Sequence, residues 1–224
     1  MKLNRLLALL QNGDTEKYTA GQVFYALDFK EELYIVQSGY VKRYSVNEDN
    51  IKVIESIYGP GYFFPLSTVY KKLLNFDLSQ ESSTYVYQAM TDLEIQGVSS
   101  DKLKVAVDKD PGLYADLFFE AGRRLEANIN RLASNALRSD YKKVAHQLVY
   151  LGEEFGQVGH RNVKTGLKIL VPLEPVDMAE QLNIDIDTVD SIMAKLEQQK
   201  LIVSKQNTIY IPDMDLLKDA YLRG

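Results

Sequence analysis

The chain has 224 residues, of which 46% are hydrophobic and 25% are charged, and it carries a formal net charge of −5 at pH 7. This length allows one or two domains, each with a real core. The lack of cysteine excludes disulfide frameworks, thiolate zinc sites, cysteine-ligated iron–sulfur clusters and cysteine nucleophiles. The acidic balance opposes non-specific attraction to nucleic acid, although the distribution of charge matters more than its total.

The N-terminal residues 1–13 (MKLNRLLALLQNG) favour a short amphipathic helix that stops at Gly13. A signal peptide is disfavoured because the apolar run is brief and no small-residue cleavage site follows it. No apolar run in the chain approaches the ~20 residues that a membrane span needs. We therefore expect a cytoplasmic protein with no membrane partner.

Short apolar segments separated by turn residues fill the chain from Tyr18 to Val98. The run Asn47-Glu48-Asp49-Asn50 marks a hairpin, and Gly59-Pro60-Gly61 marks a sharp turn. Strands are predicted at residues 23–25, 33–37, 40–46, 51–58, 84–90 and 93–98. So many short strands at regular spacing predict a small antiparallel barrel or roll.

Three helices are predicted next, at residues 100–107, 112–139 and 141–155. The middle helix follows Asp110-Pro111, a capping residue before a first-turn proline. Its apolar stripe consists of Phe118, Ala121, Leu125, Ile129, Leu132 and Ala136. A helix of this length spans about 40 Å, more than one face of a small domain needs. A second copy of the same helix is the simplest cover for the surplus; the alternative is that the β-roll covers all of it.

Residues 172–202 predict two short helices joined by a tight turn. Glu174-Pro175 opens the first helix, because proline suits the first helical position. Asn183-Ile184 forms the turn, and Asp185 is expected to cap the second helix. A β-hairpin, or wing, is predicted beyond it, with strands at 200–203 and 208–211. Helix, turn, helix and wing form the architecture of a DNA-reading module; the alternative is a helical hairpin used only for packing.

Five stretches carry a likeness to a known family: LYIVQSGYV (33–41), YGPGYFF (58–64), VAHQL (144–148), DMAEQL (177–182) and Thr188-Val189. Together with the order of β-roll, long helix and winged helix, they resemble the cyclic-AMP receptor protein and FNR family of bacterial transcription regulators. The likeness covers nearly the whole chain. It implies a homodimer that reads a palindromic DNA site through two recognition helices, with RNA polymerase as a further candidate partner.

The predicted effector pocket departs from the family pattern. Members that bind cyclic nucleotides have Gly-Glu after the glycine turn and Arg-Ser later, where this chain has Pro65-Leu66 and, near the second place, Ser82-Ser83-Thr84. Without that arginine a cyclic phosphate loses its bidentate partner, so we expect no cyclic-AMP binding in the family manner and predict no cofactor. The pocket candidates are Tyr58, Gly61, Tyr62, Phe63, Ser83 and Thr84. The alternative is that these aromatic residues, with Phe64, Tyr85 and Tyr87, form a filled core.

The recognition helix departs as well. The family pattern Ser-Arg-Glu-Thr-Val-Ser-Arg stands here as DIDTVDS (185–191). Ile186 and Ser191 replace two arginines, each worth roughly 1–3 kcal/mol of guanine discrimination. Asp187 can accept from a cytosine amino group, and Ile186 can pack on a thymine methyl group. The predicted DNA-contact residues are Ile186, Asp187, Thr188, Asp190, Ser191, Lys195 and Lys205; further phosphate candidates are Lys142, Lys143, Arg161, Lys164, Lys168 and Lys200.

Catalysis is not indicated. The only histidines are His146 and His160, whereas a cupin-type metal site needs histidine ligands inside the barrel. His146 is interpreted as a packing or surface residue and His160 as solvated. No Walker loop, nucleophile elbow or dinucleotide fingerprint occurs. We expect no metal site and no enzymatic activity; a β-barrel enzyme would require bound metal or turnover. Arg123-Arg124 is interpreted as a solvated or ion-paired couple.

The predicted fold class is α+β. It comprises an N-terminal antiparallel β-roll like a cyclic-nucleotide-binding domain (1–107), a long dimerisation helix (108–139) and a C-terminal winged helix–turn–helix (140–224). The predicted function is a homodimeric DNA-binding transcription regulator altered at its effector and base-reading positions. The alternative is a dimeric protein-interaction or scaffold module that kept the fold and lost DNA binding.

Overall fold

The computed structural model describes residues 4–10, 13–25, 33–66, 86–158, 166–205 and 207–223. The chain divides into two compact units, Met1–Glu126 and Ala127–Gly224. The boundary falls inside the long helix, and a separate role for residues 108–139 stays a prediction. No helix in the described ranges is long and apolar enough to cross a membrane.

The first unit is built on two four-stranded antiparallel sheets. Its strands are β1 (Asp14–Tyr18), β2 (Val23–Tyr25), β3 (Leu33–Ser38), β4 (Val41–Val46), β5 (Lys52–Tyr58), β6 (Phe63–Phe64), β7 (Val86–Ala89) and β8 (Leu93–Val98). One sheet has the order β1-β8-β3-β6, and the other has the order β2-β7-β4-β5. The predicted antiparallel β-roll is confirmed.

Two short strands were not predicted. The strand β1 pairs with β8 along its whole length, from Asp14 opposite Gly97 to Tyr18 opposite Leu93. Its sequence DTEKY is polar because the strand lies at a sheet edge and most of its side chains are exposed or half-buried. Hydrophobic alternation therefore cannot reveal it. The other, β6, has only two residues, and the predicted start of a strand at residues 84–85 lies outside the described ranges.

Within the described ranges, three helices belong wholly or partly to this unit: α1 (Asn4–Leu10), α2 (Ser100–Lys109) and α3 (Gly112–Ala136). Their apolar side chains bury one face of the first sheet in a single cluster of Leu6, Leu33, Ile35, Phe63, Val98, Leu103, Val107, Leu113 and Leu117. The hydroxyl of Ser99 caps α2 by accepting from Lys102 N at 3.3 Å. The helix α3 ends at Ala136, three residues before the predicted end.

The turn at Gly39 tolerates no side chain. Its φ of +84° lies in the left-handed region, and a Cβ there would collide with the Asp92 carbonyl oxygen and lie 2.8 Å from Thr91 Oγ1. We expect Gly39→Ala to lower the free energy of unfolding by roughly 1–3 kcal/mol, measured by urea denaturation. Gly21 has a similar φ of +83°, but a Cβ there would meet no described heavy atom within 4 Å. Gly21→Ala should therefore cost less; an equal loss would contradict the steric part of the argument.

The second unit contains one four-stranded sheet and a set of helices. Its elements after α3 are α4 (Asp140–Phe155), β9 (Gly156–Val158), β10 (Leu167–Ile169), α5 (Pro175–Leu182), α6 (Ile186–Gln198), β11 (Val203–Lys205), β12 (Thr208–Ile211) and α7 (Met214–Arg223). The sheet order is β11-β12-β10-β9. The strands β9 and β10 pair antiparallel and precede the helix–turn–helix.

The final helix α7 was not predicted. Asp213 caps it, because its Oδ1 accepts hydrogen bonds from the backbone N–H groups of Asp215 at 2.9 Å and Leu216 at 3.1 Å. The helix packs against α4, and Leu217 is fully buried. An acidic capping residue after Pro212 was the sequence signal for this helix.

His146 packs inside the second unit. Its Nδ1 contacts the buried Ser134 hydroxyl, and its ring meets the Tyr221 ring edge-on at 5.0 Å between centroids. Burial lowers the pKa of His146, and the negative charge of Glu153 only partly opposes this. Glu153 itself is engaged by Lys218 at 2.6 Å. The interpretation of His146 as a packing residue is confirmed, whereas His160 lies outside the described ranges.

This burial gives a pH dependence of stability. Since folding disfavours the protonated imidazole, the unfolded chain binds more protons below the ordinary histidine pKa of about 6.5. The contribution of His146 is therefore fully present above about pH 6.5 and declines as the pH falls through that value. We expect the urea midpoint to drop between pH 7.5 and pH 5.5, and His146→Gln to reduce that drop. His160→Gln is the matched variant; if it has the same effect as His146→Gln, the assignment is wrong.

Candidate nucleic-acid interface

The first helix of the helix–turn–helix is held at both ends. Asp177 Oδ2 accepts from the Glu174 backbone N–H at 3.1 Å, and Pro175 occupies the first helical position. Asn183 ends the helix in the left-handed conformation, with φ of 52°. Gln181 is buried and accepts a 2.8 Å hydrogen bond from Gln147 of α4, so the helix is fixed against its neighbour. The predicted helix start and turn are confirmed.

The second helix, α6, presents a polar face and buries an apolar one. Val189, Ile192 and Leu196 are buried, as the helical spacing predicts. Of the predicted contact residues on this helix, Thr188 is half-buried, and those exposed are Ile186, Asp187, Asp190, Ser191 and Lys195. The face available to a groove therefore begins at the first residue of the helix. This matches the docking mode in which the N-terminal part of the recognition helix meets base edges.

The predicted capping role of Asp185 is wrong. Asp185 does occupy the N-cap position, with extended backbone angles, but its side chain makes no capping hydrogen bond within the described part of the chain. Its backbone carbonyl instead accepts from Val189 N at 3.1 Å. The carboxylate remains exposed and near the positive end of the helix dipole, which stabilises it without a direct hydrogen bond.

The wing is present, with its first strand shifted toward the tip. Its strand β11 begins at Val203 and includes Ser204 and Lys205, which were predicted to form the turn. The predicted strand start at 200–202 is wrong, because a turn with Lys200 in the left-handed conformation follows the end of α6 at Gln198. The register pairs Val203 with Tyr210 and Lys205 with Thr208. Lys205 is therefore carried at the exposed end of the hairpin.

Side chains fix the wing to both helices of the motif. Glu197 Oε1, on α6, accepts from the Ser204 backbone N–H at 2.7 Å. Asn207 Nδ2, at the tip, donates to Glu174 Oε1 at 3.4 Å. These contacts join residues seven and 33 positions apart, and no local sequence pattern predicts them. Hydrogen bonds therefore link helix, turn, helix and wing into one surface.

The charge on this surface is divided. Asp185, Asp187 and Asp190 are exposed at the start of α6, where they would face phosphates with the wrong sign. Exposed positive charge comes from Lys168, Lys195, Lys200 and Lys205. The Lys195 ammonium lies 4.8 Å from the centre of the Tyr141 ring, and Lys143 pairs with Asp140 at 2.8 Å. Arg161 and Lys164 lie outside the described ranges.

Of the described candidates for the effector pocket, Tyr58 belongs to an aromatic core with Phe64 and Tyr87, and Phe63 belongs to the apolar cluster of the first unit. Tyr58, Tyr62 and Phe63 are buried, together with Phe64 and Tyr87. The Phe64 ring centre lies 5.0 Å from that of Tyr58 and 5.3 Å from that of Tyr87. Gly61 is an exposed turn residue with φ of +85°. Ser83, Thr84 and Tyr85 lie outside the described ranges. For these three residues the choice between an effector pocket and a filled core stays a prediction.

An ionic cluster on α3 covers this aromatic core. Glu120 is fully buried and binds both Arg123 and Arg124, so the interpretation of the arginines as ion-paired is confirmed. The two guanidinium groups also lie over the rings of Tyr62 and Tyr58. Sequence reasoning missed Glu120, although its spacing of three and four residues from the arginines was a signal for helical ion pairs.

The apolar stripe on α3 is exposed in the single chain. The exposed fraction is 81% for Phe118, 62% for Leu125, 54% for Ile129 and 64% for Leu132. The alternative that the β-roll covers the whole stripe is therefore wrong. Ala121 is half-buried, and its neighbour Gly122 fits the strict steps of three and four that join Phe118, Leu125, Ile129, Leu132 and Ala136.

Comparison with known proteins agrees with this geometry. Residues 142–220 match the family model of the Crp-like helix-turn-helix domain. The chain is 24% identical over 181 residues to the cAMP-activated global transcriptional regulator CRP of Salmonella typhimurium, covering 81% of this chain and 80% of that protein.

Solved structures show the same fold over nearly the whole chain. A CooA mutant from Carboxydothermus hydrogenoformans superposes with a TM-score of 0.72 at 18% identity, covering 99% of this chain and 96% of that one. A transcriptional regulator of the CRP/FNR family from Thermus thermophilus gives a TM-score of 0.66 at 19% identity, covering 94% and 100%. The predicted resemblance and the α+β fold class are confirmed.

Proposed function

We propose that this chain, whose fold and C-terminal domain are those of the CRP/FNR family of transcription regulators, is a homodimeric DNA-binding transcription regulator. The observation that carries the proposal is the linked surface formed by α5, α6 and the wing, with the start of α6 exposed. Such a surface suits insertion of the second helix into a major groove. A regulator of this kind acts on the chromosome, in the cytoplasm of a bacterium.

Dimerisation is supported by the exposed stripe of α3. Large apolar side chains at steps of three and four on an exposed helix face are typical of a two-helix coiled coil. The 25 residues of α3 span roughly 37 Å at 1.5 Å per residue, long enough for several layers of contact. Two copies of α6 related by a two-fold axis would then read a palindromic site, with half-sites about 34 Å apart.

Cyclic AMP is not the proposed effector. Pro65-Leu66 stands where cyclic-nucleotide binders of the family have Gly-Glu, and Leu66 packs against the apolar cluster of the first unit. An apolar side chain packed there leaves no carboxylate for a ribose hydroxyl. We expect calorimetric titration with cyclic AMP to show no binding at micromolar concentration; micromolar binding would overturn this part of the proposal.

The second candidate function is a dimeric interaction module that has lost DNA binding. The exposed carboxylates of Asp185, Asp187 and Asp190 favour it, because each opposes the phosphate backbone. RNA polymerase would be a partner under the first candidate, whereas the second predicts a protein partner with basic character for this acidic surface. The two candidates differ in whether the purified chain binds DNA at all.

A mobility-shift assay separates them. We expect a complex with random-sequence DNA at low salt, and a steep loss of affinity as salt rises, because phosphate contacts release counterions. Lys205→Ala removes one contact from each protomer and should reduce the salt slope by about two for the dimer. Lys104→Ala, at an exposed position on α2, is the matched control and should leave the slope unchanged. A wild-type dimer that forms no complex at low salt would favour the interaction module.

A further inference from the structure

The Glu120 cluster joins α3 to the aromatic turn of the first unit. Arg123 places Nε and Nη2 on the Glu120 carboxylate, at 3.0 and 2.8 Å from its Oε2. Arg124 Nε donates to Oε1 of the same carboxylate at 3.2 Å. One fully buried carboxylate therefore holds two guanidinium groups, each of which is largely buried.

The same arginines bind the turn that leads into β6. Arg124 Nη2 donates to the Phe63 carbonyl at 2.9 Å. Its guanidinium carbon lies 4.1 Å from the centre of the Tyr58 ring, and that of Arg123 lies 3.7 Å from the centre of the Tyr62 ring. Cation–π contacts of this kind strengthen when the charge is shielded from water. The positive charge at this turn is thus supplied by the chain itself.

The cluster and the apolar stripe lie on opposite faces of α3. At about 100° per residue, Arg124 lies about 40° from Glu120 around the helix, whereas Leu125 and Ile129 lie about 140° and 180° away. Rotation of the helix about its axis would break the hydrogen bond from Arg124 to the Phe63 carbonyl and change the direction in which the stripe points. The cluster therefore sets the direction in which the stripe points.

A buried ion cluster is well suited to fixing the rotation of a helix about its axis. Replacing one by apolar groups often costs no stability, but removing one partner leaves an uncompensated charge, so the geometry of the cluster favours a single arrangement. The two planar guanidinium groups must also meet the carboxylate and the faces of the two tyrosine rings at the same time.

We propose that Glu120, Arg123 and Arg124 are positioning residues that hold α3 in its dimer-forming orientation without an effector. The arginines occupy, on Tyr58 and Tyr62, the aromatic turn that the family resemblance assigns to effector binding. The ligand-free chain is therefore dimeric and binds DNA constitutively. This inference rests on the proposed regulator function, but the part that concerns dimerisation can be tested without DNA.

The first test compares Glu120→Gln with Glu126→Gln, an exposed glutamate on the same helix. Sedimentation equilibrium should show the Glu120→Gln dimer weakened by roughly tenfold or more, the factor expected for one lost charged hydrogen bond. Glu126→Gln should match the wild type. Circular dichroism and cooperative melting show whether the variant is folded. A change in the dimer dissociation constant at temperatures below the melting range then reflects the orientation of α3 rather than unfolding. A folded Glu120→Gln variant with the wild-type dimer constant would overturn the proposal.

Two further measurements cover the case in which Glu120→Gln fails to fold. Arg124→Lys keeps the charge but cannot span Glu120 and the Phe63 carbonyl together, and should show an intermediate loss of dimerisation; no loss would overturn the proposal. Wild-type protein that is unfolded in urea, dialysed and refolded should dimerise and bind DNA as before. Binding that returns only after a small-molecule extract is added back would overturn it. A refolded dimer that binds no DNA under any condition would contradict the regulator function and the constitutive DNA binding, while the variants still test the positioning role.

Discussion

We expect Ile129→Glu to prevent the proposed homodimer from forming and to leave the protein monomeric. Ile129 lies in the middle of the stripe, on the helix face opposite the Glu120 cluster, and is half exposed in the single chain. In a two-fold seam each substitution occurs twice, so two carboxylates would enter one apolar layer. Central apolar residues of an interface contribute about 2 kcal/mol or more each. Two such losses correspond to a dimer weakened by roughly a thousandfold.

Val105→Glu provides the matched control for this experiment. Val105 has the same exposed fraction as Ile129, 54%, but lies on α2 and outside the stripe. The two variants add the same charge to an equally exposed apolar position. Any difference between their dimer dissociation constants therefore reflects the apolar stripe rather than the added surface charge. Sedimentation equilibrium measures the dissociation constants. If both variants or neither become monomeric, the stripe is not the dimer interface.

The same variants separate dimerisation from folding. A side chain that is half exposed contributes little to the core of its own chain, so Ile129→Glu should keep the monomer folded by circular dichroism. DNA affinity should fall with the dimer, because a monomer reaches only one half-site. A monomeric variant with wild-type DNA affinity would show that the two recognition helices act independently.

The sequence was informative wherever local rules decide the structure. Pro175 and Asn183 set the ends of α5, and Gly39 marks a turn that only glycine tolerates. The apolar spacing of Val189, Ile192 and Leu196 identifies the buried face of α6. These features depend on neighbours within one or two turns of chain, which is the range over which propensity and periodicity operate.

Sequence reasoning failed where residues distant in the chain determine the local structure. The edge strand β1 is polar and exists because β8 offers a free edge at Leu93–Val98. Among the residues that the structure describes, Asp185 makes no side-chain capping hydrogen bond, although its residue type predicts one. The links from Glu197 and Glu174 to the wing join surface residues whose proximity only the fold creates.

The Glu120 cluster falls between these cases. Its spacing along α3 predicts ion pairs, and those pairs are present. Its packing on Tyr58 and Tyr62 depends on a turn about sixty residues earlier in the chain, which no periodicity reveals. The contact between this cluster and the turn is therefore visible only in the folded chain.

Ser191→Arg should restore guanine recognition at one position of the DNA site. Ser191 is exposed on α6, where the family pattern carries an arginine, and arginine binds the O6 and N7 atoms of guanine through two hydrogen bonds. One such pair discriminates against other bases by roughly 1–3 kcal/mol, or about 5- to 150-fold in affinity. Selection from a random DNA library should show a guanine that the wild-type selection lacks. Ile186→Arg should add a second, since Ile186 is exposed at the start of the same helix.

Gln198→Arg distinguishes base reading from added charge. Gln198 is exposed and lies seven residues after Ser191, so it occupies the same face of α6 but two turns further from the N-terminus. The control adds the same positive charge and should raise affinity for all sequences while leaving the selected site unchanged. Because recognition helices read bases near their N-terminal end, only the Ser191 and Ile186 variants should change the sequence that is selected. A guanine preference gained equally by Gln198→Arg would mean that α6 lies in the groove in another orientation, and an unchanged selection in all three variants would mean that α6 does not enter the groove.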